Sequence, residues 1–285
     1  MHLEFHKYHG LGNDFAVIDA RALNLSLAGS LGQHLCDRHR GIGADGLLLW
    51  TGTAEKPVMT VINADGSVAD MCGNGLRCFV KHLLDRHLRH ADALEVATGS
   101  GNLACQVTRD ASGLVDSVAV EMGRAVYDPA LIPVQNGGIL QESPLTVHGV
   151  TARWTALKLG NPHAVTFDPL SVRDRQLLGP LLEQHELFPA KANIEFAQIL
   201  PGDKPQIELH VFERGCGWTQ ACGTGATATA LVAVDSGKLP RGQEISVHLP
   251  GGWLGITVAE DGMATMRGPA VEVYAGMIDV THLLG

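Results

Sequence analysis

Two helix-forming segments constrain this chain more than anything else in it. One runs from about Gly75 to Leu88 and presents Leu76, Phe79, Val80, Leu83 and Leu84 over a broad apolar surface. The other, GTGATATALVAV from Gly223 to Val234, carries nothing more polar than threonine hydroxyls. A helix apolar nearly all round must be buried on every side, so each should sit inside a wrap of strands. Short alternating or apolar runs supply that wrap: His2 to His9, Phe15 to Ala20, Gly46 to Trp50, Val58 to Asn63, Val118 to Met122, Gln206 to Phe212, Ile245 to Leu249 and Val271 to Tyr274. Gly, Asp, Asn or Pro bounds each one, as strands and hairpins require. Two further stretches read as helices, about Leu27 to Arg38 and Asp174 to His185. Strands outnumber helices without regular βαβ alternation, which predicts α+β rather than a doubly wound sheet.

Both buried helices also begin alike. Met71-Cys72-Gly73-Asn74-Gly75 and Ala221-Cys222-Gly223-Thr224-Gly225 share Cys-Gly-x-Gly, with the cysteines 222 − 72 = 150 residues apart. One such helix per half predicts two pseudo-symmetric domains, each a central helix wrapped by mostly antiparallel strands. The expected division is 1–119, completed by the C-terminal segment 276–285, and 120–275. The two helix starts are expected to face one another across the cleft between the domains.

Composition narrows the partners. With 285 residues and 45% hydrophobic content the chain can bury cores for two domains. The net charge is −9 and no basic run exceeds two residues, which excludes nucleic acid and acidic membrane surfaces. Gly215 to Val234 carries no formal charge, but glycines, threonines and a glutamine deny it the continuous apolar character of a membrane span. The N-terminus shows no secretory pattern, and six cysteines are too few to scaffold a chain of this length. The expected setting is a reduced cytoplasm.

A cysteine at a helix start sees unpaired N–H groups and the positive dipole end, which favour the thiolate. Neighbouring glycines let a ligand approach the backbone, where those N–H groups can hold a carboxylate. Two such sites on one cleft suit the inversion of a stereocentre: a thiolate removes a proton from one face and a thiol returns one to the other. The simpler reading of Cys36, Cys78 and Cys105 is inert core packing. A zinc-stabilised or redox thiol protein is the non-catalytic alternative. Against zinc, Cys72/Cys78 and Cys216/Cys222 are each spaced C-x5-C, wider than the roughly two to four residues usual in zinc knuckles. Gly41-Ile42-Gly43-Ala44-Asp45-Gly46 matches a dinucleotide fingerprint in letters only, because it follows a helix and precedes a strand.

These motifs together resemble the diaminopimelate epimerases. The resemblance is carried by Gly10-Leu11-Gly12-Asn13-Asp14-Phe15, Gly43-Ala44-Asp45-Gly46, Ala64-Asp65-Gly66-Ser67 with Met71 to Cys78, Gly160-Asn161-Pro162-His163, Asn193-Ile194, Glu213-Arg214-Gly215 and Ala221 to Gly225. It implies two similar halves, no pyridoxal phosphate, metal or other cofactor, and an isomerase that interconverts LL- and meso-diaminopimelate in lysine and peptidoglycan precursor synthesis. It further implies Cys72 and Cys222 as the acid–base pair, with His163 and Glu213 assisting. The substrate-binding set would be Asn13, Asn63, Gly73, Asn74, Asn161, Asn193, Glu213, Arg214, Gly223 and Thr224. The partner implied is a small amino acid; a homodimer is compatible with the sequence, which does not fix it. Two positions depart from the family's pattern: Trp218 stands where a glutamate is usual, and Gly46 where many members carry a glutamine. The alternative within the fold is a racemase of proline, hydroxyproline or another single-centre amino acid, for which Asn63, Asn193 and Arg214 would lack partners.

Overall fold

The computed structural model describes residues 1–88, 90–132, 134–135 and 140–281, so the last four positions of the expected 276–285 segment lie outside the described residues. In chain order the first unit contains β1 (His2–Gly10), β2 (Asn13–Asp19), α1 (Ala28–Leu35), β3 (Gly46–Gly52), β4 (Pro57–Asn63), β5 (Val68–Ala69), α2 (Gly73–Arg86), β6 (Ala93–Thr98), β7 (Gly101–Arg109) and β8 (Val115–Gly123). The second contains β9 (Ser143–Val147), β10 (Val150–Leu159), β11 (Asn161–Thr166), α3 (Val172–Glu183), β12 (Asn193–Ile199), β13 (Gln206–Glu213), β14 (Gly217–Trp218), α4 (Gly223–Asp235), β15 (Glu244–Leu249) and β16 (Gly252–Val258). The chain returns to the first unit within β17 (Ala264–Pro269) and ends in β18 (Val271–Asp279). By contact density the units are Met1–Val120 with Arg267–Gly285, and Glu121–Met266. The return falls earlier than the 276 expected from sequence, because β18 pairs with β1 along its length, from His2↔Asp279 to His9↔Val271.

Strand pairing follows one plan twice. In the first unit β1–β2 is antiparallel, β2–β3 parallel, β3–β4 and β4–β5 antiparallel, β4–β6 parallel and β6–β7 antiparallel. In the second, β10–β11 is antiparallel, β11–β12 parallel, β12–β13 and β13–β14 antiparallel, β13–β15 parallel and β15–β16 antiparallel. Each plan gains one further antiparallel neighbour on its first strand, β18 on β1 and β9 on β10. The α+β class and the mostly antiparallel pairing are as the sequence predicts.

Within each unit the strands separate an outer helix from a central one. On β3, Leu47 and Leu49 join Leu31 and Leu35 of α1 in one apolar cluster. Leu48, pointing to the opposite face, meets α2 at Gly75. On β12, Ile194 and Phe196 join Leu178 and Leu182 of α3, while Glu195 on the other face meets α4 at Gly225. The two-residue period of a strand assigns these faces.

Both central helices are buried as their composition requires. Leu76, Phe79, Val80, Leu83 and Leu84 are wholly inaccessible in α2, each side chain contributing about 1.5–3 kcal/mol by burial. On α4 the buried Thr227 turns its hydroxyl to the Gly223 carbonyl at 2.8 Å, which lets a polar residue occupy an apolar core. Among the described residues no helix is long and apolar enough to cross a membrane.

Candidate active site

Each unit offers one half-site at the start of its central helix. Cys72 is the N-cap of α2, extended at φ −138° and ψ 115°, and its Sγ accepts the Gly75 amide at 3.4 Å. Cys222 caps α4 in the same way, at φ −126° and ψ 106°, with Sγ on the Gly225 amide at 3.3 Å. The third helical position is a glycine in both, where a side chain would be crowded. A Cβ on Gly225 would lie 3.1 Å from both Cys222 Sγ and Glu195 Oε1; on Gly75 it would lie 2.9 Å from Leu48. First-turn amides of an α-helix have no acceptor within the helix, so both starts present the donors of Gly73-Asn74 and Gly223-Thr224 toward their surroundings.

Around Cys72 the partners are amides and fixed charges. Asn13 Oδ1 accepts from Asn74 Nδ2 at 3.1 Å and lies 3.8 Å from Cys72 Sγ, while Asn13 Nδ2 donates to Asp45 at 2.8 Å. Asp45 is held by Arg38 at 2.8 Å, and Arg38 and Lys7 both pair with Asp14. Burial pushes the Asp14 carboxyl up, but hydrogen bonds and charge from Arg38 and Lys7 outweigh it and hold Asp14 below the usual carboxylate range. Asn74 is also braced by the wholly buried Arg77, whose Nη2 donates to its Oδ1 at 2.9 Å. Asn63 ends β4 and donates to Ser67 Oγ at 2.9 Å within the following turn.

Around Cys222 the partners are titratable. His163 Nδ1 and Glu195 Oε1 lie 2.6 Å apart, both side chains fully buried. Thr219 Oγ1 donates to Glu213 at 2.5 Å, and Thr224 Oγ1 lies 3.5 Å from Cys222 Sγ. Burial raises the Cys222 thiol well above its ordinary value, and the Glu213 and Glu195 carboxylates raise it further against the opposing Thr224 and Gly225 bonds. The thiolate expected from the helix start is therefore not the resting form of Cys222: desolvation and two acids outweigh the helix end. Burial likewise raises Glu213, opposed by Thr219, Cys222 and His163.

A third group forms at the end of β13. The Arg214 amide donates to Asn193 Oδ1 at 2.8 Å, and the guanidinium reaches Asn161 Oδ1 at 3.3 Å and the Ala190 carbonyl at 3.1 Å. The fold thus joins Asn13 with Asn74 and Cys72 in one unit, and Asn161 with Asn193 and Arg214 in the other, whereas Asn63 bonds only inside its own turn among the contacts described. Glu195 escapes sequence reasoning. Its one signal is alternation: in Asn193-Ile194-Glu195-Phe196 the polar residues share the face that carries Asn193. Asp45 and Thr219, each holding a singled-out residue, are readable only as motif neighbours. Trp218 packs on Phe196 and Phe212 with ring centroids 5.7 and 5.4 Å away. Cys36, Cys78 and Cys105 are buried, their thiols pushed up to about 12 by desolvation.

Known proteins resemble this chain over nearly its whole length. The family described as diaminopimelate epimerase matches residues 5–127 and 155–273. A diaminopimelate epimerase of Pelotomaculum thermopropionicum is 40% identical over 280 residues, covering 96% of this chain and 98% of the relative. One from Synechococcus elongatus is 39% identical over 287 residues, covering 98% and 99%. Among solved structures, a hydroxyproline epimerase from Agrobacterium vitis aligns with a TM-score of 0.69 at 14% identity, over 97% of this chain and 91% of that one. A PhzF-family phenazine biosynthesis protein from Bacillus anthracis gives 0.70 at 15%, over 98% and 100%. At those identities the solved structures share the fold alone. The sequence relatives go further: this chain belongs to the diaminopimelate epimerase family of isomerases.

Proposed function

We propose that this protein interconverts LL- and meso-diaminopimelate in the cytoplasm without a cofactor, supplying lysine and peptidoglycan precursors. Cys72 and Cys222 act on opposite faces of the α-carbon, one sulfur taking the proton and the other returning one. The observation that carries this reading is the repeated cap: each unit sets a cysteine sulfur on the third amide of its own buried helix. Removing an α-proton places charge on the adjacent carboxylate, and fixed N–H donors aimed at that charge lower the barrier most. Gly73, Asn74, Gly223 and Thr224 are the donors in this reading. Cys222 rests as a thiol among Glu213, His163 and Glu195 and so supplies a proton in the turnover that begins from that state, with Glu213 and His163 assisting beside it.

Asn13, Asn63, Asn161, Asn193 and Arg214 hold the polar ends of the substrate. Arginine suits a distal carboxylate because its planar fork binds two oxygens at once. A cyclic substrate such as proline would leave that cluster without partners, which favours a long substrate ionised at both ends. The deciding experiment follows both epimers in deuterium oxide with reduced, metal-free protein. Deuterium at the α-carbon together with formation of the other epimer is expected. Turnover of proline but not diaminopimelate, or a strict need for pyridoxal phosphate, would overturn the proposal.

A further inference from the structure

The second half-site contains an acid whose partner is a histidine and whose role nothing above assigns. Glu195 and His163 are both wholly inaccessible, on adjacent parallel strands that pair His163 with Asn193 and Val165 with Glu195. Their contact, 2.6 Å from Oε1 to Nδ1, is the only hydrogen bond the imidazole makes: His163 Nε2 is buried and has no hydrogen-bond partner among the described residues. Buried polar atoms in native proteins are paired in the great majority, so an orphaned ring nitrogen beside a candidate site marks a position that a ligand completes. Gly225 leaves room for the carboxylate on the other side, since a Cβ there would stand 3.1 Å from Oε1. The first unit has no counterpart. By strand register its equivalents of His163 and Glu195 are Phe15 and Leu48.

We propose that Glu195 is a positioning residue: by accepting the Nδ1–H of His163 it fixes the tautomer and ring orientation and leaves Nε2 to meet the substrate's α-amino group. The proposal rests on the epimerase reading for its substrate but not for its geometry. A histidine ring with one nitrogen tied to a carboxylate presents the other with defined protonation, as when outer partners orient a ligating histidine. The titratable groups facing the pair are Glu213 from β13 and Cys222 from the start of α4.

Two variants and one spectroscopic measurement test it. Glu195→Gln keeps the shape and an acceptor oxygen; Glu195→Leu installs the residue of the other unit. Loss of an orienting partner typically costs about 10- to 100-fold, and the expectation for Glu195→Leu is a fall of that size in kcat with KM within about threefold and a displaced pH profile. Glu195→Gln should recover part of the rate. Nitrogen-15 spectra of the imidazoles, assigned by the signal missing in His163→Gln, should show Nδ1 carrying the proton in the unliganded wild type and a mixture of tautomers in Glu195→Leu. This readout needs no turnover, so it separates the positioning role from the epimerase reading: inactivity of the wild type on diaminopimelate would defeat the latter alone. An Nε2–H tautomer in the wild type, or Glu195→Leu with unchanged kcat and pH profile, would overturn the positioning role.

Discussion

The two units share one topology and differ where their central helices begin. At equivalent positions the first carries Phe15, Gly46, Leu48 and Asn63, and the second His163, Asn193, Glu195 and Glu213. Fold therefore does not require charge at these positions, because an uncharged set supports the same strands and helix. The buried acids around Cys222 oppose stability, since desolvation penalises each ionised form. In the proposed epimerase reading that cost serves the chemistry, whereas the Cys72 half holds its sulfur with amides backed by the Arg38–Asp14–Lys7 charges.

The sharpest contrast that should not exist is between the cysteines themselves. If both faces of the substrate are served, Cys72→Ala and Cys222→Ala should each lower epimerisation by about a thousandfold or more, the upper range for an acid–base group. Chiral chromatography of the product measures this. Survival of near-normal rates in either variant would show that one unit does the chemistry alone.

Exchanging the unequal pair tests whether its value is stability or function. Leu48→Glu puts a carboxylate on β3 facing α2, without an imidazole, and should cost about 3–5 kcal/mol in chemical unfolding. The converse, His163→Phe with Glu195→Leu, replaces a buried pair by apolar groups and should leave stability equal or higher by about 1 kcal/mol, with activity lost. A large loss of stability in the double variant would mean that the pair holds the fold together.

Both buried helices and their cysteine caps are legible in the amino-acid sequence, from apolar content on all faces, and strands such as His2–Gly10 and Pro57–Asn63 are legible from alternation. The wrap is only partly readable. β7 and β10 mix polar and apolar residues, so alternation does not mark their ends, and each pairs with the strands just before and after it in the chain. Helix ends differ from the pattern by up to three residues, as at Gly73, where the cap rather than periodicity decides the start. Motifs identify Asn13 and Arg214 and contain Asp45, but they do not reveal that Asp45 stands behind Asn13 or Glu195 behind His163. Those depend on parallel strand registers that no local pattern encodes.

The units should also answer pH in opposite senses. In the first, burial lowers His82 from an ordinary 6.5 to about 3, helped by His6, His87 and Arg86 and opposed by Glu272. The folded chain keeps His82 neutral while the unfolded chain binds a proton below 6.5, so stability is full above that value and falls as pH drops toward 3. Between pH 6.5 and 5 the loss is about 2 kcal/mol. In the second, Glu195 and Glu213 are raised by burial, so the folded state retains protons longer and their contribution declines as pH rises out of the usual carboxylate range. Urea unfolding across about pH 5–7 should show a shallower acid slope in His82→Gln than in the wild type; equal slopes would remove His82 from the account.

The smallest expected effect concerns the short strand before each cysteine. Register places Trp218 opposite Phe212 and Val68 opposite Ile62, so the two residues are equivalents, each four positions before its cysteine. Val68 is 67% exposed and makes an ordinary edge position, whereas Trp218 is 43% exposed and lies against Phe196 and Phe212. Aromatic pairs of this kind contribute about 0.5–1.5 kcal/mol beyond the area they cover. Trp218→Val, which copies the first unit, should therefore lower unfolding stability by about 1 kcal/mol and leave KM within about threefold. The neighbouring Thr219–Glu213 bond is untouched, so kcat should hold as well. A tenfold rise in KM with unchanged stability would instead place the indole against the substrate, and the difference between the units would extend from proton transfer to recognition.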